Sequence, residues 1–330
     1  MNEPADRPES ASRAPEFESE RPATEALDAR TERDPTDPDL WLSLFESSDD
    51  QLARALSAVR GEIRALGALY AKTLRSTGRV VLTGAGTSGR LAFLDAAEWP
   101  PTFGIEPGRV IARIAGGPQA FERAVEGAED DGSAGAALVD ELALDSADLL
   151  VGISASGSAK FVAAAVETAA RRGAATARLT CATPPAWTAQ FSGETPPTPP
   201  LDITLPLGAE LVAGSTRLSA ATGTHRVLQR ASVLCALELG WIYRGRMVEM
   251  RPTNQKLRRR AAAIVAELSG RSEEEARTAL AAARDDIKVA ILTLVTGVDR
   301  ETAHAELAAV GRNLREIPAI QARFEAGAER

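Results

Sequence analysis

The sequence predicts an α/β protein: a doubly wound, mainly parallel sheet followed by a small helical domain. Three observations carry that reading. Short runs rich in Val, Ile and Leu alternate with Ala-rich helical stretches between about residues 50 and 251, the order that lays parallel strands in one layer with helices on both faces. Turns of small and hydroxylated residues follow several of these runs directly. Beyond Pro252 only helical patterns remain.

At 330 residues the chain has room for one large domain and a small one. Residues 1–30 are rich in Pro, Glu, Ser, Arg and Ala and poor in large apolar side chains. Such a segment buries too little surface to offset its ordering entropy, so a disordered tail is expected. Residues 31–251 form the α/β domain, with strands expected at 79–82, 110–114, 149–153, 177–180 and 203–205. The first strand leads through Gly84-Ala85-Gly86-Thr87-Ser88-Gly89-Arg90 into a helix expected to stop at Glu98, ahead of Pro100-Pro101. Residues 252–330 form the helical domain. Ser272-Glu273-Glu274-Glu275 reads as a helix start, and the apolar run 288–295 as a buried helix.

Bulk composition excludes several functions. The formal net charge is -8 and no basic block stands against it, so no nucleic-acid partner is expected. The cluster Arg258-Arg259-Arg260 runs into Ala261-Ala262-Ala263 and reads as a solvated helix face. Cys181 and Cys235, the only two cysteines, are too few and too far apart for a disulfide framework or a zinc site. No apolar run is long enough to span a bilayer, and the N-terminus lacks the apolar core of a signal peptide. No membrane partner is expected, and a cytoplasmic location is.

In a doubly wound sheet, ligands bind beyond the carboxyl ends of the strands. The loop at 84–90 is such an end. Its hydroxyls at Thr87 and Ser88 and the free N–H groups of the following helix, at Gly89 and its neighbours, make an anion pocket. It is read as neither a dinucleotide fingerprint nor a Walker loop, which needs a lysine. Gly152-Ile153-Ser154-Ala155-Ser156-Gly157-Ser158 repeats the arrangement after the third strand, and Gly214-Ser215-Thr216-Arg217 precedes another helical run. Three hydroxyl-rich turns suit a phosphorylated, hydroxylated ligand such as a sugar phosphate.

These loops resemble those of the sugar isomerase domain, and the longer stretches resemble the N-acetylmuramic acid 6-phosphate etherase family. The segments that carry the likeness run in family order. They are Thr31-Glu32-Arg33, Leu94-Asp95-Ala96-Ala97-Glu98, Pro100-Pro101-Thr102-Phe103-Gly104, Ile114-Ala115-Gly116-Gly117, Glu126-Gly127-Ala128-Glu129-Asp130, Gly214-Ser215-Thr216-Arg217-Leu218, Thr253-Asn254-Gln255-Lys256-Leu257 and Lys288-Val289-Ala290-Ile291-Leu292. The resemblance implies cleavage of the D-lactyl ether of N-acetylmuramic acid 6-phosphate to N-acetylglucosamine 6-phosphate and D-lactate, with no metal and no cofactor. The family's two essential glutamates fall on Glu98, as proton donor, and Glu129, as second acid/base group. Thr87, Ser88, Gly89, Ser154, Ser156, Glu210, Ser215 and Thr216 are the candidate substrate-binding residues. By itself the acidic run at 126–131 reads as a solvated loop. A carboxylate where a helix stops opposes the helix dipole, which favours a functional reason for Glu98.

Two places depart from the family. Ser158-Ala159-Lys160-Phe161 stands where the family has Arg-Thr-Pro-Tyr and is closer to the glucokinase regulatory protein, a non-catalytic relative that binds fructose phosphates. Ser219 and His225 stand where the family has lysines, and the loss of fixed cations alters attraction for an anionic ligand. A non-catalytic sugar-phosphate-binding regulator is therefore the alternative function, and an aldose–ketose isomerase a third; a glutamate at 98 favours the etherase over the regulator. The helical end resembles a ubiquitin-associated-type bundle, expected to cap the sheet domain or a neighbouring subunit. A straight helix from Ser88 to Glu98 spans about 15 Å at 1.5 Å per residue, longer than a hexose phosphate. Either the helix breaks early and Glu98 bends back before Trp99-Pro100-Pro101, or Glu98 serves the partner's site across a homodimer, the arrangement that is expected.

Overall fold

The computed structural model describes residues 22–182 and 198–328. Five strands form one parallel sheet: β1 (Val80–Gly84), β2 (Val110–Ile114), β3 (Leu149–Ile153), β4 (Ala175–Thr180) and β5 (Leu201–Thr204). Their spatial order is β2-β1-β3-β4-β5, all pairs parallel, with Val80 level with Val110 on one side and with Leu149 on the other. The expected α/β class and strand positions hold to within a few residues. A short antiparallel hairpin, β6 (Ile242–Tyr243) and β7 (Arg246–Met247), lies outside this sheet.

Helices cover both faces. Along β1 and β3 successive side chains point to opposite faces. Val80, Leu82, Leu149, Val151 and Ile153 join one core with α1 (Pro38–Ala58), α2 (Arg60–Arg75), α3 (Gly86–Phe103) and α6 (Ser219–Glu238). Val81 and Leu150 join a second core with α4 (Gly132–Glu141) and α5 (Lys160–Arg171). Every residue of β1 and β3 is buried, which is why both read as unbroken apolar runs instead of alternating ones.

α3 corrects an expectation. It continues through Pro100 and Pro101 to Phe103 instead of stopping at Glu98. Two prolines remove two helical hydrogen bonds, but aromatic packing holds the last turn. Trp99 and Phe103 are buried one turn apart, with ring centroids 5.7 Å apart, and Tyr70 and Trp241 close the cluster. The helix ends instead at Gly104, with φ at 66°; a Cβ there would stand 2.2 Å from the Glu249 carbonyl oxygen, so only glycine fits.

A third core forms within the C-terminal part, from α7 (Gln255–Ser269), α8 (Glu273–Ala282), α9 (Ile287–Thr296), α10 (Arg300–Ala309) and α11 (Pro318–Ala328). It reaches back to Tyr243, Val248 and Met250, ahead of residue 252. The helix start at Ser272 forms a full capping box with Glu275. Lys288 is fully buried and ion-pairs with Glu249, and its ammonium also donates to the Arg312 carbonyl at 2.6 Å. Of the expected disordered tail, residues 1–21 lie outside the described residues. Residues 22–30 are folded: Thr24 is buried, its carbonyl accepts the Gly214 N–H at 3.0 Å, and Arg30 clamps Asp28. Polar pairing, which a composition argument does not see, anchors this stretch.

Candidate active site

β1 and β3 are neighbours, and the chain leaves them for opposite sides, towards β2 and towards β4. That divergence opens a crevice beyond their carboxyl ends, and both hydroxyl-rich loops border it. After β1, Ala85 is extended and α3 begins at Gly86. Thr87 and Ser88 thus fall in the first turn, where backbone N–H groups lack helical partners and an anion is favoured. Both side chains are half-buried. Gly89 lets this turn press on the sheet: a Cβ there would stand 2.4 Å from Cγ1 of Ile114 and 2.7 Å from the Gly84 carbonyl oxygen. Gly84, Gly86 and Gly89 do stand in Gly-x-Gly-x-x-Gly spacing, which corrects the expectation on that point. The acidic residue that would bind a ribose hydroxyl has no counterpart at the end of β2, which reads Val-Ile-Ala-Arg-Ile. Arg90 donates to the carbonyls of Phe121 and Ala120 at 3.1 and 2.8 Å.

The second loop divides its serines. Ser154 is buried, its N–H bonds the Leu179 carbonyl, and its hydroxyl accepts the Gly157 N–H at 3.1 Å. It shapes the turn. Ser156 is half-buried, lies 2.6 Å from the Ser158 hydroxyl and accepts the Ser158 N–H at 3.2 Å. Glu129 is exposed on a 3-10 turn, Ala128–Asp130, and the neighbouring Asp130 reaches Lys160, the first residue of α5, at 3.4 Å. This ion pair ties the Glu129 turn to the end of the β3 loop. Thr87, Ser88, Ser156 and Glu129 therefore belong to one edge of the sheet, around the crevice.

Ser215 and Thr216 lie half-buried in the loop that leads from β5 to α6. Glu210, expected among the substrate ligands, has backbone partners of its own. It is 3% exposed, and its two carboxylate oxygens accept the N–H groups of Ser219 and Ala220 at 3.1 and 2.8 Å. Leu218, at the N-cap, offers no side-chain acceptor, so Glu210 caps α6 from a distance in sequence.

Glu98 lies elsewhere. α3 is unbroken from Gly86 to Phe103, so Ser88 and Glu98 are separated by about 15 Å along its axis. Glu98 is exposed and lines a cleft of about 1030 Å³ between α2, α3 and α6. Neither Glu129 nor any loop hydroxyl borders that cleft. One chain therefore does not bring the two glutamates together. The cleft also holds groups to which the sequence analysis gave no catalytic or binding role. Asp95, one turn before Glu98, is buried, and burial pushes its carboxyl up to about 6, while the indole N–H of Trp99 at 2.9 Å pulls the other way. His225 is held below its ordinary value by burial and by Arg226. Arg60 and Arg64 on α2, and Arg226 and Arg230 on α6, also line it. Their i, i+4 spacing was a readable signal, since it puts each pair on one helix face.

Cys181 and Cys235 are buried and free, with burial pushing the Cys181 thiol up to about 12. Among the described residues no His, Cys, Asp or Glu group is placed to hold a metal, and no helix is long and apolar enough to cross a membrane.

Residues 63–170 match the family model described as the glucokinase regulatory protein N-terminal SIS domain. The chain is similar to an N-acetylmuramic acid 6-phosphate etherase of Cronobacter sakazakii, with 38% identity over 276 residues that cover 83% of this chain and 90% of the relative. It is 40% identical over 260 residues to the Streptomyces avermitilis protein of the same name, covering 79% of this chain and 81% of that one. Among solved structures, a phosphoheptose isomerase from Francisella tularensis aligns with a TM-score of 0.48 at 19% identity, over 62% of this chain and 100% of the other.

Proposed function

The chain belongs to the N-acetylmuramic acid 6-phosphate etherase family, and from that membership we infer that it is a carbon–oxygen lyase. It cleaves the D-lactyl ether of N-acetylmuramic acid 6-phosphate, giving N-acetylglucosamine 6-phosphate and D-lactate. The observation that carries this is identity of 37–40% to etherases over most of the chain. The regulatory alternative rests on a match to residues 63–170 only and is not favoured.

The family resemblance assigns the two glutamates, and the chemistry says what each must do. In the open-chain sugar the C1 aldehyde acidifies the C2 proton. A base removes it, lactate leaves C3 as its ether oxygen takes up a proton, and water adds to the resulting double bond. Glu98 is the proton donor to the departing lactate, and Glu129 is the second acid/base group. The first-turn N–H groups of α3, with the hydroxyls of Thr87, Ser88 and Ser156, take the 6-phosphate at the switch point. Gly89 keeps that turn close to the sheet, Ser154 holds the second loop, and Ser215 and Thr216 contact the sugar from the third.

Glu98 and the phosphate loops of one chain lie too far apart along a straight α3 for one hexose phosphate. The working unit is a homodimer in which Glu98 of each chain completes the partner's site. Two buried thiols suit the reducing cytoplasm. Incubation with N-acetylmuramic acid 6-phosphate and assay for D-lactate tests the activity; absence of D-lactate from folded protein refutes it. Mixing an inactive Glu98→Gln chain with an inactive Ser88-loop chain tests the composite site. Mixed dimers carry one site with both lesions and one with neither, so activity returns; no recovery in verified mixed dimers refutes sharing.

A further inference from the structure

The exposed apolar side chains of this molecule are not scattered. Of the eight large ones among the described residues, Leu27, Leu40, Leu42 and Phe45 (60, 45, 61 and 39% exposed) surround the N-terminal half of α1, Leu94 and Val233 line the Glu98 cleft from α3 and α6, and Leu237 follows Val233 one turn later on α6. Patches of this kind on a folded chain mark interaction surfaces. Their charges are opposite. The α1 half carries exposed Asp37, Asp39 and Glu46, while the cleft is rimmed by exposed Arg60, Arg64, Arg226 and Arg230. None of these seven forms an ion pair among the described residues. On α1, Leu42 and Phe45 share one convex face with Asp39 and Glu46; the cleft is a concave groove between helices.

We propose that the N-terminal half of α1 from a second copy of this chain seats in the α2–α3–α6 cleft, with Asp39 and Glu46 against the four arginines and Leu42 and Phe45 over Leu94 and Val233. By two-fold symmetry each chain gives one helix and receives one. This rests on the homodimeric reading above and deepens it. The seated helix is the wall that shuts water from the Glu98 cleft, and helix-in-groove docking between opposite charges fixes which chain pairs with which.

The test uses two full-length chains with different tags, co-expressed, one carrying Leu42→Cys and the other Val233→Cys. The native cysteines are both buried, so a bis-maleimide spanning about 10 Å, one helix diameter, reads only the new thiols. A cross-linked species carrying both tags is expected, with each single variant alone remaining uncross-linked. A Leu42→Asp/Phe45→Asp chain is expected to sediment as a monomer, to keep its melting temperature within a few degrees, and to release D-lactate at least 100-fold more slowly. Absence of the mixed cross-link, or a Leu42→Asp/Phe45→Asp chain that stays dimeric and active, overturns the docking. If the mixed Glu98 and Ser88-loop chains regain activity while no cross-link forms, the shared site stands and the α1 docking falls. Cross-linking without regained activity does the reverse.

Discussion

The indole N–H of Trp99 donates to a carboxylate oxygen of Asp95, 2.9 Å away and one turn back along α3. No cation is paired with that carboxylate among the described residues, and burial lifts it from 3.8 to about 6. Its ionised form is thus tolerated at a cost, one turn from Glu98.

The sign of the pH effect follows. The folded-state value lies above the unfolded one, so the charged form is disfavoured by folding. The penalty is full above about pH 6, shrinks as pH falls from about 6 towards 3.8, and is gone below. The span corresponds to about 3 kcal/mol. Denaturant unfolding at pH 8 and pH 5 should show the protein gaining about 1–2 kcal/mol relative to Asp95→Asn, which keeps an acceptor for Trp99 without the charge. Equal changes in both proteins would show that Asp95 is not the group responsible.

Serines 154 and 156 should separate by readout. Ser156→Ala and Ser88→Ala are expected to weaken sugar-phosphate binding with melting temperatures nearly unchanged, because neither hydroxyl holds the fold. Ser154→Ala removes one of the two acceptors of the Gly157 N–H, leaving the Ser154 carbonyl, and should cost about 0.5–1 kcal/mol of stability. Calorimetric titration and thermal melts read the two effects; unchanged affinity in both Ser88 and Ser156 variants would move the phosphate site elsewhere.

Glu98→Gln and Glu129→Gln should each lower kcat by roughly 10²–10⁴ while leaving the melting temperature in place, since both side chains are exposed. A stability loss in either variant would point to a structural role instead.

Glu210→Ala should behave as loss of a helix cap. A decrease of about 1–2 kcal/mol in unfolding free energy is expected, because the N–H groups of Ser219 and Ala220 lose their acceptors. If KM rises with no change in stability, Glu210 touches the sugar after all.

The helical domain should be inseparable from the sheet domain. Lys288→Met removes the buried cation from Glu249, which keeps Arg312 at 3.1 Å, and is expected to cost about 1–3 kcal/mol. Truncation after residue 260 cuts α7 and bares Tyr243, Val248 and Met250, so lower solubility or activity should follow; a soluble, fully active truncation would refute a capping role.

The layered α/β class and the five strand positions were legible because a strand buried on both faces needs an unbroken apolar run, and a parallel connection needs a helix. Thr87, Ser88 and Ser156 were legible as switch-point hydroxyls for the same reason: they follow strand ends directly. The end of α3 was misread because local rules count the lost hydrogen bonds of Pro100 and Pro101 but not the packing of Trp99 and Phe103 against Tyr70 and Trp241. The capping contacts of Glu210 were not legible because the N–H groups it accepts lie nine and ten residues away on another element.

The sequence by itself determined the sheet, its loops and the chemical type of the acidic and hydroxylated residues, since these follow from periodicity and short-range spacing. Only the tertiary structure decided which groups can meet. It carried Glu98 along an unbroken helix away from the hydroxyl-rich loops, buried Asp95 beside it, and gathered four arginines from α2 and α6 around the same cleft. Those outcomes depend on how far a helix runs and what it packs against, and no local segment of the chain carries that information.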